Sequence, residues 1–136
     1  MLDLKDVTLV ALTNMRMEGH IAALKESIKN INFGDVKLIS EEDKVPSDLP
    51  SEINFEKMIY PIRSIDDYSF YMIYNIGQHI ETTHMLIIQD HGFVVNPSAW
   101  TDEFLEYDYI GAPWAWSENA YIDPFGNHQR VGNGGV

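Results

Sequence analysis

Asp90 and His91 stand side by side at the end of the apolar run MLII (residues 85–88) and lead straight into Gly92 and Phe93. A carboxylate next to an imidazole can ligate a divalent cation. A cation that bridges diphosphate oxygens stabilises a departing nucleotide as a Lewis acid. Asp90-His91-Gly92 can equally be an ordinary turn, because Asp and Gly are common turn formers. Around these residues the segment 86–114, LIIQDHGFVVNPSAWTDEFLEYDYIGAPW, is rich in aromatics, and VGNGG follows at residues 131–135. A buried strand that delivers polar side chains into a glycine turn is a common setting for a metal or phosphate site.

Other side chains could serve the same chemistry. Arg16, one of nine Lys and Arg residues, follows the first apolar run and could pair with a diphosphate, or make a surface ion pair. Trp100, Trp114 and Trp116 could offer flat faces on which a sugar ring stacks, with Tyr121 and Phe125 rimming the same opening. For Trp100 and Trp114 the core is the favoured place, since large aromatics fill interiors, whereas Trp116 lies between Ala115 and Ser117 in a loop-like stretch and suits stacking better. Asn133-Gly134-Gly135 permits close backbone approach to a ligand or forms a hairpin; it lacks the Lys-Ser/Thr of a P-loop. His20 sits beside a helical apolar stripe, and His128 lies near the glycine-rich tail. His79, Glu81 and His84 do not recur at three or four on one helical face, which argues against zinc.

The elements that must position these groups can be read from periodicity. Residues 7–12 (VTLVAL) form an apolar run expected of a strand covered on both faces. Ile21, Leu24, Ile28 and Ile31 then repeat at helical spacing, which predicts an amphipathic helix over about residues 18–30, closed by Phe33-Gly34-Asp35. VKLI at residues 36–39 follows as a second strand, making a β-α-β unit with a parallel pair and a right-handed crossover. Residues 40–51 (SEEDKVPSDLPS) read as an exposed loop, and residues 53–62 (INFEKMIYPI) as an extended segment ending near Pro61. Ser64 offers an N-cap with Asp67 three residues on, and Ile65, Tyr68, Met72, Ile73, Ile76 and Ile80 form the stripe of a second helix. That helix leads into MLII. The order β-α-β-β-α-β predicts an α/β fold with an open, mostly parallel sheet and flanking helices. In such sheets ligands bind beyond the carboxyl ends of the strands, where three polar groups fall: residues 13–16 with Thr13 and Arg16, residues 40–43, and residues 89–91 with Gln89.

Composition bounds the function. At 136 residues, 45% hydrophobic and 22% charged, the chain reads as one ordered domain spanning residues 1–136. A formal net charge of -12 argues against nucleic-acid partners, because phosphate backbones select basic surfaces. An anionic nucleotide would meet the same repulsion unless a cation or a local arginine offset it. Without cysteine there are no disulfides and no thiolate metal sites. No apolar stretch approaches a membrane span, and residues 1–6 lack a signal-peptide pattern, so a cytoplasmic location is expected.

From Tyr68 to Gly135 the chain resembles an uncharacterised domain family related to glycosyltransferases of the GT-A fold. Members of that family carry a Gln-x-Asp-Gly-Phe turn after a strand, a Trp, an acidic Phe-Leu segment, a Tyr-Asp-Tyr-Ile-Gly-Ala-Pro-Trp block and a Val-Gly-Asn-Gly-Gly loop. Here the matching positions are Gln89 to Phe93, Trp100, Asp102 to Leu105, Tyr107 to Trp114, and Val131 to Gly135. Before Tyr68 only the first strand, Arg16 and the β-α-β order agree. The resemblance implies a GT-A-like, Rossmann-like half that binds a nucleotide-sugar donor and transfers its glycosyl group to a glycan or other hydroxyl acceptor. Taken with the readings above, the donor-site candidates are Thr13, Arg16, Gln89 and Asp90, and the sugar or acceptor candidates are Asp108, Trp116, Asn133 and Gly134. Asp108 could orient a sugar hydroxyl or cap a local turn.

Two departures from the family are visible. Where the family has Gln-x-Asp, this chain has Gln89-Asp90-His91, so the implied metal ligands are Asp90 and His91. That pair suits Mn2+ better than Mg2+. In similar transferases further acceptor-binding elements and an acidic base follow the glycine-rich loop, whereas Val136 closes this sequence. The expectation is therefore a domain incomplete at its C-terminus, either the donor-binding part of a transferase completed by missing C-terminal elements or by another chain, or a non-catalytic carbohydrate- or nucleotide-binding module.

Overall fold

The computed structural model describes residues 1–113, 118–119 and 122–128. Strand β1 (Leu2–Thr13) is followed by helix α1 (Met17–Ser27), strand β2 (Ile31–Ser40), strand β3 (Asn54–Lys57), helix α2 (Ile65–Phe70) and strand β4 (His84–Ile88). The strands form one four-stranded sheet in the order β3-β2-β1-β4, and every neighbouring pair is parallel. This is an open Rossmann-like α/β sheet with flanking helices, of the class the element order implies.

β1 is central, and both of its faces are covered. Leu9 and Ala11 pack with Ile21 and Leu24 of α1, while Val10 and Leu12 pack on the opposite face with Ile39, Met58, Tyr71 and Ile76. Residues 7–12 are apolar without alternation for this reason. Each fully buried Leu, Ile or Val contributes roughly 1.5–3 kcal/mol. The centre of the sheet therefore outweighs its margins, where β3 and β4 bury less.

The first correction concerns Phe33-Gly34-Asp35. These residues were expected to close α1 and precede a strand starting at Val36, yet they lie inside β2, while α1 stops at Ser27 and Ile31 already opens β2. β1 and β2 run in register from Leu2 opposite Ile31 to Leu4 opposite Phe33, then resume at Thr8 opposite Asp35. Lys5, Asp6 and Val7 thus face Gly34 alone, and β1 bulges. A Cβ on Gly34 would lie 2.1 Å from the Lys5 carbonyl oxygen, so only glycine lets β2 pass the bulge.

The second correction concerns the stripe from Ile65 to Ile80. Its start is as expected: the Ser64 hydroxyl accepts from the Asp67 N–H at 3.1 Å, and the Asp67 carboxylate accepts from the Arg63 N–H at 2.9 Å. The segment then changes type, from α2 through a π turn (Tyr71–Asn75) to a 3-10 turn (Ile76–His79). Across that change Tyr71, Met72 and Ile76 are buried while Ile73 faces out, and Ile65, in the first turn of α2, is 81% exposed. Among the described residues no helix is long and apolar enough to cross a membrane.

Candidate functional site

β1 and β4 run parallel, with Ala11 opposite Ile88, so their carboxyl ends open on the same edge. The chain winds from β1 outward through β2 to β3, then crosses back to place β4 on the other side of β1. The direction of winding reverses between β1 and β4, and the loops leaving those two strands border the crevice where open α/β sheets bind ligands.

Arg16 and Asp90 meet at that edge. Arg16 is the N-cap of α1 and takes a left-handed backbone, φ 54°, the one positive φ outside glycine among the described residues. A long side chain in that conformation is uncommon and strained. Its guanidinium Nη1 donates to Asp90 Oδ2 at 3.1 Å, and the Arg16 carbonyl accepts from His20 Nδ1 at 2.9 Å. The other Asp90 oxygen, Oδ1, accepts from His91 Nδ1 at 2.7 Å. The Asp90 side chain is only 14% exposed and that of Arg16 is 71% exposed. Asp90 rests against α1 at Gly19, where a Cβ would come within 2.9 Å of the Asp90 Cβ. The hydrogen bonds from His91 and Arg16 outweigh desolvation and hold the Asp90 carboxyl at about 2, against an ordinary 3.8.

The rest of the edge fixes this pair. Gln89 and Gly92 exchange backbone hydrogen bonds of 2.9 and 3.2 Å, so Asp90 and His91 form the tip of a tight turn. The turn reading and the ligand reading of Asp90-His91-Gly92 are therefore compatible. The Gln89 amide donates to the Tyr68 hydroxyl at 2.8 Å and so anchors the turn to α2. Burial pushes the Tyr68 phenol up, with the Gln89 bond opposing it. On the other side the Val94 N–H donates to the Ser27 hydroxyl at 3.1 Å, which ties the outgoing chain to α1. Thr13 is buried, and its hydroxyl bonds the Met15 backbone within the β1–α1 loop, where it shapes the approach to Arg16. Asn14 donates to the Ile62 carbonyl at 3.0 Å, and Arg63 donates to Glu41 at 2.8 Å, linking the loops after β1, β2 and β3.

Asp90 and His91 are the implied cation ligands, and among the described residues no third His, Asp or Glu joins them. A cation there would complete its shell from phosphate oxygens and water, the usual arrangement for Mg2+ in nucleotide sites. Asp90 Oδ2 is taken by Arg16 and Oδ1 by His91, so a cation would also have to displace Arg16 from Oδ2. Asp108 is exposed in a bend after a short 3-10 turn (Asp102–Glu106), and among the described residues no hydrogen bond joins it to the Asp90 turn. Trp100 packs against the core beneath the α1 face and donates from Nε1 to Asp102 at 3.0 Å, in keeping with a packing role. Phe125 is 90% exposed in a turn that Asp123 organises by accepting from the Phe125 and Asn127 N–H groups. Trp114, Trp116, Tyr121, Asn133 and Gly134 lie outside the described residues.

A second polar cluster, unforeseen in the sequence, lies under the 3-10 turn on the α2 face. Lys37 of β2 donates to Glu56 of β3 and to the His79 carbonyl, each at 2.6 Å, and stands 3.6 Å from Asp35. His79 Nδ1 donates to the other Glu56 oxygen at 2.6 Å, and His79 Nε2 lies 2.6 Å from the buried Tyr71 hydroxyl, which also accepts from the Ile59 N–H at 3.1 Å. Burial works to lower Lys37, but the Glu56 hydrogen bond and the surrounding carboxylates outweigh it and raise it. Burial likewise opposes ionisation of Glu56, yet its bonds from Lys37 and His79 win and lower it. Each polar atom of this cluster is engaged, so its chemistry is cohesion between β2, β3 and the 3-10 turn. The signal for it was a lysine inside an otherwise apolar strand, VKLI. Gly19 was missed as well, and its signal was a glycine within a helix, three residues after Arg16.

Comparison with curated proteins and with solved structures finds no match for the chain. A family match exists over residues 52–136, a stretch that contains β3, α2, β4, Gln89, Asp90, His91 and Asp108, while Thr13, Arg16 and Gly19 lie upstream of it. Because the match covers more than half of the chain, the protein belongs to the family described as Protein of unknown function (DUF5672).

Proposed function

We propose that this protein is a GT-A-like, nucleotide-sugar-binding glycosyltransferase whose donor diphosphate sits at the edge between β1 and β4. The observation that carries the reading is the meeting of Arg16 and Asp90 at the point where the winding of the sheet reverses. Arg16 supplies a fixed positive charge and a planar fork suited to phosphate oxygens. The α1 N-terminus adds backbone N–H groups directed at the same place. Asp90 and His91 would hold Mn2+ or Mg2+ together with the diphosphate, and such an ion acts as a Lewis acid on the leaving group. For the acceptor, a glycan or other hydroxyl compound, the candidate residues remain those named from the sequence, Asp108, Trp116, Asn133 and Gly134, of which Asp108 alone lies within the described residues.

A non-catalytic carbohydrate- or nucleotide-binding module is favoured by one observation. Asp90, the carboxylate in the crevice, is committed to Arg16 and His91, and a group with its low pKa is a poor proton acceptor for a hydroxyl. Thermal melting tests the shared donor site. With Mn2+ and a nucleoside diphosphate at saturation, the melting temperature should rise by about 3–8 °C. The part of the rise that requires Mn2+ should vanish in Asp90→Ala. Unchanged melting with every nucleoside diphosphate and nucleotide-sugar tried, or an equal Mn2+-dependent rise in Asp90→Ala, removes the reading. Release of the nucleoside diphosphate from a nucleotide-sugar, measured with an acceptor panel, separates transferase from binding module.

A further inference from the structure

In the ligand-free site the anion-binding and cation-binding groups are bonded to each other. Arg16 Nη1 and Asp90 Oδ2 are 3.1 Å apart, so the guanidinium that would meet a phosphate neutralises the carboxylate that would meet a metal. The two partners are not equally free to move. Asp90 is seated against Gly19 and held by His91 Nδ1, and its side chain is largely covered. Arg16 is a long, mostly exposed arm rooted at a strained left-handed N-cap whose carbonyl is braced by His20. Any opening of the pair therefore swings the arginine away from a stationary aspartate.

We propose that Arg16 and Asp90 form a latch that makes the site accept a diphosphate and a divalent cation only as a pair. The proposal rests on the donor-site reading for its biological ligand, but its logic needs only the diphosphate group. A cation arriving alone finds Asp90 occupied and a guanidinium beside it, and like charges repel. A diphosphate arriving alone must draw Arg16 away and leaves the Asp90 carboxylate facing phosphate oxygens without a counter-charge. When both arrive, Arg16 turns to the diphosphate and leaves the stationary Asp90 Oδ2 to the cation, and each former partner is replaced by a charge of the right sign. By linkage, each ligand then strengthens the binding of the other.

The latch predicts gains of affinity on mutation, which damage to a simple binding site does not produce. Arg16→Gln should free Asp90 and improve binding of Mn2+ alone by roughly fivefold or more, read as paramagnetic broadening of the Asp90 and His91 amide resonances at lower Mn2+ concentration. Asp90→Asn should free Arg16 and improve binding of inorganic pyrophosphate without metal by a similar factor, read by calorimetry. Melting curves of both variants verify that each is folded. The latch is overturned if Arg16→Gln binds Mn2+ no better than the parent chain, or if Asp90→Asn binds metal-free pyrophosphate more weakly than the parent chain. Pyrophosphate binding with the predicted gains, combined with no response to any nucleotide, would retain the latch and remove the nucleotide-sugar reading.

Discussion

A carboxyl held at about 2 is ionised at every pH a cell presents, which makes Asp90 a bearer of fixed charge rather than a group that exchanges protons. Its pKa is depressed in the folded state, so the stability it confers is fully present above the ordinary aspartate value of 3.8 and is lost as pH falls through about 2. A carboxyl 13C titration of Asp90 should give an inflection near 2 in the parent chain, moving up toward 3.8 in both His91→Ala and Arg16→Gln. An Asp90 that titrates at its ordinary value in the parent chain would contradict the pairing geometry. Single residues of this site were legible because their types are chemically distinctive and they fall where strands end. The bond between Arg16 and Asp90 was not legible, since the partners are separated by 74 positions and nothing in either local sequence names the other. Gly19, which makes room for the aspartate, reads in the sequence only as a weak point in a helix.

At the level of elements, periodicity located every strand and both helices but misjudged where some of them begin, end or change type. β1, β2 and β4 stand out as short apolar runs without alternation, and α1 because its apolar residues recur at helical spacing. Phe33-Gly34-Asp35 reads as a turn because a glycine required by a backbone close by looks the same in sequence as a glycine required by a bend. The helix after Ser64 reads as one element because a π turn adds no residue type of its own and only shifts the phase of the stripe. Gly34→Ala should lower stability by roughly 3 kcal/mol in urea unfolding, since its methyl group would collide with the Lys5 backbone and one strand would have to move. Gly77→Ala is the matched comparison, because a Cβ there meets nothing within 4 Å, and it should stay within about 0.5 kcal/mol of the parent chain. Equal effects at the two glycines would argue against the bulge.

Across the whole molecule, β3 is held by the cluster of Lys37, Glu56, His79 and Tyr71 as well as by apolar contact. Removing one member of a buried ionic cluster costs more than removing the charges together. Lys37→Met should therefore destabilise by roughly 2–4 kcal/mol, and adding Glu56→Gln, which keeps an acceptor for His79, should recover part of that loss in urea unfolding. A double variant as unstable as the sum of the two single ones would show that the groups act separately. The order β3-β2-β1-β4 also bears on how the chain acquires its binding edge. β1, α1 and β2 are consecutive and can dock with short loop closures, whereas β4 pairs with β1 only after β3 and α2 have been bridged. Contacts of such long sequence separation form slowly and late. The Arg16–Asp90 site exists only once β4 has paired with β1, so ligand affinity during refolding should appear no earlier than that pairing and would report on it.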